Sequence, residues 1–334
     1  MNLAITMDVT NRCNSRCKIC YFSLPGFKPK GRDMTMAEFK LVAQQLACHS
    51  GRLSISCEFE PLLHQDIEAI LMECKRLAPE WQIRVNTNGI SLSESVSKAL
   101  VESGVAEIYV SIDAPTQEMN SRIRGNSALP RILKELKTLA DIKKTSERTT
   151  PVCIIRSTAM MANLHQLPDM IALAASVGAE RFSVKHLIPI EGCEWDGHAM
   201  AEQSCLLSPE ETRFVFDHIR EQGNALGIAV DLPPASPANE STLKISCGYV
   251  NNGFHIFPDG TCFPCVWLTA GESYGNIYRD NVETLLSSTT RIRFRNAFPH
   301  PGTPEKCLAC LRDSQTVGHK IQDNPRVRLE QQHA

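Results

Sequence analysis

Six apolar runs that read as strands, each followed by an amphipathic helix, constrain this chain more than any other feature. In residues 1–9, Leu3, Ile5, Met7 and Val9 alternate with polar neighbours, which is strand periodicity. Further strands are expected at 53–57, 82–87, 107–112, 151–159 and 181–186. Helices are expected at 35–48, 66–77, 93–103, 129–144, 164–177 and 208–226. In the first helix Phe39, Val42, Ala43 and Leu46 share one face, and Thr35 with Glu38 forms a capping box. Ser208, Pro209 and Glu211 give the last helix an N-cap, a proline at its first position and a second box. Strands alternating with helices imply a parallel sheet, and right-handed crossovers curl six units into a partial (β/α)6, TIM-like barrel. Chemistry in such an α/β fold belongs at the C-terminal ends of the strands.

The composition narrows the function classes. The chain has 334 residues, 43% hydrophobic and 22% charged, as in an ordinary globular protein. A net charge of −2 gives no electrostatic reason to bind nucleic acid or an anionic membrane. No run has transmembrane length, and the first residues lack a signal-peptide pattern. Fourteen cysteines in such a chain suggest a reducing cytoplasm and metal ligation rather than disulfides. Texture divides the chain into residues 1–232, a linker at 233–245, a cysteine-rich region at 246–313 and a polar tail at 314–334.

The loop after the first strand carries Cys13, Cys17 and Cys20, spaced C-x3-C-x2-C. Three thiolates on one loop suit a cubane 4Fe–4S cluster and leave its fourth iron open. They also suit a zinc knuckle, although zinc normally closes its tetrahedron with a fourth ligand, and none occurs before His49. With Tyr21 following the third cysteine, the run resembles the signature of the radical S-adenosylmethionine (radical SAM) superfamily.

That resemblance implies S-adenosylmethionine (AdoMet) on the open iron and a 5′-deoxyadenosyl radical from its cleavage, with the protein positioning the cofactor. It extends over residues 3–230 through segments in the family's order. Residues 56–64 stand where many members have Gly-Gly-Glu-Pro; there Glu60 would accept from the AdoMet ammonium, while Glu58 and Phe59 replace the glycines and Glu58 can share the role. Asn86 lies in a segment similar to the family's Thr-Asn-Gly, and Ser111 and Asp113 in one similar to its Ser-x-Asp. Arg122 or Arg124, and Arg156, are the implied partners of the AdoMet carboxylate, and Tyr21 would flank the adenine.

Past the linker, Cys247, Cys265, Cys307 and Cys310 resemble the SPASM/twitch extension of many radical SAM enzymes. The resemblance implies a second 4Fe–4S cluster on these four, in a small C-terminal twitch domain. Cys262 either replaces Cys265 or remains a thiol, and a structural zinc ribbon is the bland alternative.

A fully ligated auxiliary cluster accepts electrons, which suits oxidation, and the resemblance to one-cluster twitch dehydrogenases implies a small polar substrate of sugar or aminocyclitol type. After the sixth strand, Lys185 or His186 would take a hydroxyl proton, with Glu191 near them. Cys193 offers the alternative of a thiol hydrogen donor in an epimerase. A third reading is a peptide (RiPP) maturase, disfavoured because the chain starts directly at its first strand. A fourth is a zinc-stabilised protein without catalysis. The expected partners are a small-molecule substrate, or a peptide, and a reductant such as flavodoxin or ferredoxin.

Overall fold

The computed structural model describes residues 1–20, 24, 31–56, 58–77, 79–190, 192–236, 247–266, 268, 272–297 and 307. Six strands, β1 (Asn2–Met7), β2 (Ser50–Ile55), β3 (Trp81–Thr87), β4 (Glu107–Ser111), β5 (Val152–Ala159) and β6 (Arg181–His186), pair in chain order. Every neighbouring pair is parallel. Between them run α1 (Met36–Leu46), α2 (Ile67–Cys74), α3 (Glu94–Glu102), α4 (Gln117–Arg124), α5 (Leu129–Thr145) and α6 (Asp169–Ser176). After β6 come a hairpin, β7 (Glu194–Trp195) and β8 (His198–Ala199), then α7 (Pro209–Leu226) and β9 (Ala229–Asp231), which pairs parallel with β6.

Strand alternation sorts the side chains. Leu53, Ile55, Ile83, Val85, Ile108, Val110, Phe182 and Val184 are fully buried on the helix-facing side. Of the residues that alternate with them, Arg52, Arg84, Ser111, Arg156 and Lys185 are only half-buried, while Tyr109, Ile154 and Ser183 are buried. A sheet whose inner residues keep some exposure encloses an open, polar lumen.

The C-terminal region joins this sheet directly. After α8 (Gly248–Asn252), strand β10 (Gly253–Ile256) pairs parallel with β1, in register Thr6 to His255. It turns into antiparallel β11 (Thr261–Phe263) and β12 (Gly275–Asn276), followed by α9 (Val282–Leu286) and α10 (Thr289–Ala297). The sheet order is therefore β12-β11-β10-β1-β2-β3-β4-β5-β6-β9, a partial barrel extended at both edges.

Local sequence explains most boundaries. The box at Thr35 forms, with the Thr35 hydroxyl accepting from Glu38 N and the Glu38 carboxylate accepting from Thr35 N. The box expected at Ser208 does not form, because its hydroxyl donates to the Glu211 carboxylate at 2.8 Å. The helix expected over 164–177 divides into a short 3-10 turn, Leu164–Gln166, and α6. Pro168 lies at the break and lacks the N–H that a continuous helix needs. Helix α4 was not anticipated, since only Met119 and Ile123 give it an apolar stripe. Its ends were nevertheless marked, by Thr116 as N-cap and Gly125 as a left-handed C-cap.

Candidate active site

The cysteine loop follows the C-terminal end of β1 and rests on the end of α4. Lys18 N donates to Ile123 O at 2.9 Å, and Asn126 Nδ2 donates to Ser15 Oγ at 3.1 Å. Gly125, at φ 66°, lies so close that a Cβ would stand 2.3 Å from Arg16 O, so glycine is required there. Cys17 is buried, and Cys13 and Cys20 are half-buried. Burial pushes the Cys13 and Cys17 thiols up, while the Arg124 guanidinium pulls both down. Arg124 is the buried cation of this loop: it bonds Asp113 at 2.9 Å, and both thiols and Asp113 favour its charged form against its own burial. Three thiols on one loop, two of them beside a buried guanidinium, fit the negative charge of a thiolate-bound iron–sulfur cluster. Among the described residues, no three Cys, His, Asp or Glu side chains are grouped to hold a single metal ion. A cubane is less demanding, because each thiolate binds a different iron.

Below the loop lies Glu60, 1% exposed. One carboxylate oxygen accepts from Leu62 N at 3.1 Å and Thr87 Oγ1 at 2.6 Å, and the other from Asn88 N at 2.6 Å. A carboxylate has about four acceptor positions, so one remains, on Oε2. Burial raises Glu60 to about 7, against the opposing pull of these donors. Glu58 and Phe59 are not left-handed; the positive φ of this turn, 62°, falls on Ser56. Ser56 is held there by its hydroxyl on Asp8 Oδ1 at 2.9 Å and by its carbonyl, which accepts from Asn86 Nδ2 at 2.6 Å. Glu58 N also donates to Asp8 Oδ1, at 3.3 Å. The turn thus reaches Glu60 without the expected glycines, its positive φ falling two residues before Glu58.

On the lumen wall, Arg156 donates to Asn86 Oδ1 at 3.2 Å and lies 3.8 Å from the Tyr109 ring centroid. Ser111 and Lys185 occupy the same wall, half-buried. Three expectations need correction. Asp113 is 1% exposed, and its carboxylate is taken by Arg124 and by Thr158 N at 2.6 Å, so it holds Arg124 rather than facing a ligand. Arg122 points away and bonds Asp196 at 2.7 Å. His186 lies on the helix-facing side of β6, where its Nε2 bonds Pro234 O at 2.6 Å and its ring packs near Phe216. Burial lowers its pKa, whereas Lys185, its neighbour in sequence, stands on the lumen side.

Cys193 sits 6% exposed in a satellite apolar cluster with Ile123, Met160, Leu187, Trp195 and Met200. Its thiol points to Cys20 O at 3.7 Å. The hairpin β7–β8 covers the cysteine loop: the Trp195 ring lies 4.9 Å from Lys18 Nζ and 5.2 Å from the Arg122 guanidinium. Asp196 binds the same two cations, at 3.5 and 2.7 Å. Tyr21, Glu191 and Cys310 lie outside the described residues.

The second cysteine set stands at the other end of the barrel. Cys247 precedes α8 and β10, and β11 runs back antiparallel to bring Cys265 to the same edge. Cys247, Cys265 and Cys307 are half-buried and all lie within electrostatic reach of Tyr274. The Tyr274 hydroxyl is buried without a hydrogen-bond partner among the described residues. Cys262 alternates away into the core: it is 0% exposed, its thiol meets Gly260 O, and burial pushes it up to about 12. Cys265, two residues past β11, is therefore the one of the two that faces the set.

Comparison with known proteins agrees with this geometry. Residues 7–161 match the model of the Radical SAM superfamily, and residues 247–311 that of SPASM, an iron–sulfur cluster-binding domain. PqqA peptide cyclase of Rhodopseudomonas palustris is 26% identical over 271 residues, 79% of this chain and 67% of that protein. The chain thus spans about two thirds of that relative. GTP 3′,8-cyclase of Aquifex aeolicus is 24% identical over 291 residues, 81% of this chain and 84% of its own length. Among solved structures, Streptococcus suis SuiB bound to S-adenosylmethionine shares the fold at TM-score 0.69 and 14% identity, over 97% of this chain and 75% of that one.

Proposed function

From the premise that this chain belongs to the radical SAM superfamily and carries a SPASM region, and so uses AdoMet and two 4Fe–4S clusters, we propose that it oxidises a polar substrate in the barrel lumen by removing hydrogen from a C–H bond. The observation that supports this reading is the placement of two cysteine sets at opposite ends of one open, polar lumen. When bound, AdoMet and the clusters supply a hydrogen-atom acceptor at one end and an electron acceptor at the other. Cys13, Cys17 and Cys20 would hold the first cluster, with Arg124 balancing its charge. Cys247, Cys265, Cys307 and Cys310 would hold the second. Glu60 would accept from the AdoMet ammonium through its remaining Oε2 position, with Glu58 beside it, and Arg156 would pair the carboxylate. Ser111 and Asn86 would orient the cofactor from the wall, and Tyr21 would flank its adenine. Lys185 would take the proton that a hydroxyl substrate releases, completing a two-electron oxidation. Residues 1–232 would form the barrel unit and 246–313 the auxiliary unit.

A small sugar or aminocyclitol is the proposed substrate class, and a member that carries an acidic group suits the basic side chains on the lumen side of the strands. A second reading, modification of a peptide, is favoured by the likeness to PqqA peptide cyclase over most of the chain. Mass spectrometry of candidate substrates incubated with reduced holoenzyme and AdoMet separates the two. Loss of two hydrogens from a small alcohol or amine supports the first reading, and a changed peptide beside an inert small-molecule set supports the second.

A further inference from the structure

The lumen is more cationic than a binding site for AdoMet requires. Arg52, Arg84, Arg156, Arg181 and Lys185 project from the lumen side of β2, β3, β5 and β6. Among the described strand residues, the half-buried carboxylates on that side are Glu107 and Asp231, and Asp231 accepts from Ser183 Oγ at 3.1 Å. Asp8 is sealed at 0% exposure against His255, 3.1 Å away. Glu107 is already engaged: it forms an ion pair with Arg84, whose Nε lies 2.7 Å away, and accepts from the Tyr109 hydroxyl at 2.8 Å and from Arg181 at 3.4 Å. Bound AdoMet adds net positive charge, since its sulfonium and ammonium outnumber its carboxylate.

Arg52 stands out within this set. Its side chain makes no ion pair and no hydrogen bond with any described residue, and its electrostatic neighbours are Arg84, Tyr249, Tyr109 and Glu107. Burial first, and the like charge of Arg84 second, disfavour its cation. A half-buried guanidinium beside another guanidinium, with the nearest carboxylate already shared, is expensive unless an anion joins it. Its position is informative too. Arg52 pairs in register with Ala4 and Gln82 near the N-terminal ends of the strands, far along the lumen from the cysteine loop and toward the Cys247 end.

We propose that Arg52, supported by Arg84, is the anchor for an anionic group of the substrate, a carboxylate or a phosphate, docked at the floor of the lumen. This deepens the function proposed above and rests on it. Anchored at the floor, the rest of the substrate extends toward the cysteine loop and presents its C–H bond there. Arg suits such an anchor because its planar fork matches both oxyanions bidentately.

The test is calorimetric titration of the cofactor-loaded wild-type protein, R52Q and R52K with two probes, inorganic phosphate and succinate. Wild type is expected to bind at least one of them, R52Q at least tenfold more weakly, and R52K in between. Binding of phosphate alone assigns a phosphorylated substrate, and binding of succinate alone a carboxylated one. Failure of both probes on wild type, or equal binding by R52Q, overturns the anchor. The oxidation reading is judged separately, by 5′-deoxyadenosine formation in the wild-type protein. An anion-binding protein that forms none keeps the anchor and loses the radical chemistry, and the reverse result loses the anchor alone.

Discussion

Glu60 concentrates the chemistry of the site in one side chain. Its carboxyl ionises near 4.5 in an unfolded chain and is raised to about 7 by burial here. Between those values the folded protein retains a proton that the unfolded chain has released. Stability of the cofactor-free protein should therefore fall as pH rises from about 4.5 to about 7, and level off above. Thermal melts across that range should show the decline in wild type and a flatter profile in Glu60→Gln; matching profiles would show that Glu60 does not titrate there. The same substitution replaces an acceptor by a donor amide and should weaken AdoMet binding about tenfold or more, since hydrogen bonds to charged groups contribute about 1.5–3 kcal/mol. Cys193 poses the opposite case. With its thiol buried against Cys20 O, it is placed to pack rather than to give hydrogen to a substrate. Cys193→Ala should leave product formation within about twofold of wild type. Product lost while 5′-deoxyadenosine continues would instead identify an epimerase.

Elements explain how the loop keeps its shape. The hairpin β7–β8 is fastened by Trp195 between two cations and by Asp196 binding both of them. Trp195 is 5% exposed, and a buried Trp replaced by Ala costs about 3–5 kcal/mol. Much of that loss should appear locally, as faster amide hydrogen exchange across residues 13–20 in Trp195→Ala; unchanged exchange would mean the hairpin does not support the loop. The strands and the cysteine loop were legible in sequence because their signals are contiguous: alternation in β1 to β6, three cysteines within eight residues, and the box at Thr35. What the sequence hid depends on distant or rotational relations. Lys185 and His186 are adjacent, yet strand register alone sends one to the lumen and the other to Pro234. Cys262 and Cys265 were separable only once β11 was seen to turn Cys262 inward. Arg124 became a cluster-side cation through Asp113, and Asp8 meets His255 across most of the chain.

At the scale of the whole molecule, β10 matters most, because it fuses the second cysteine set to the barrel sheet through β1. The two sets stand at opposite ends of one lumen, and in the proposed oxidation a substrate between them would lose hydrogen toward one and an electron toward the other. Cys307→Ala should lower the iron content from about eight per chain toward about four and abolish oxidised product. Iron unchanged in that variant would remove Cys307 from the ligand set. The most direct measurement is made on anaerobically reconstituted protein given dithionite and AdoMet, with metal content and 5′-deoxyadenosine determined together. Wild type should hold about eight irons and form 5′-deoxyadenosine, and Cys13→Ala should form none. Zinc in place of iron, with no 5′-deoxyadenosine from wild type, would contradict radical chemistry at this site.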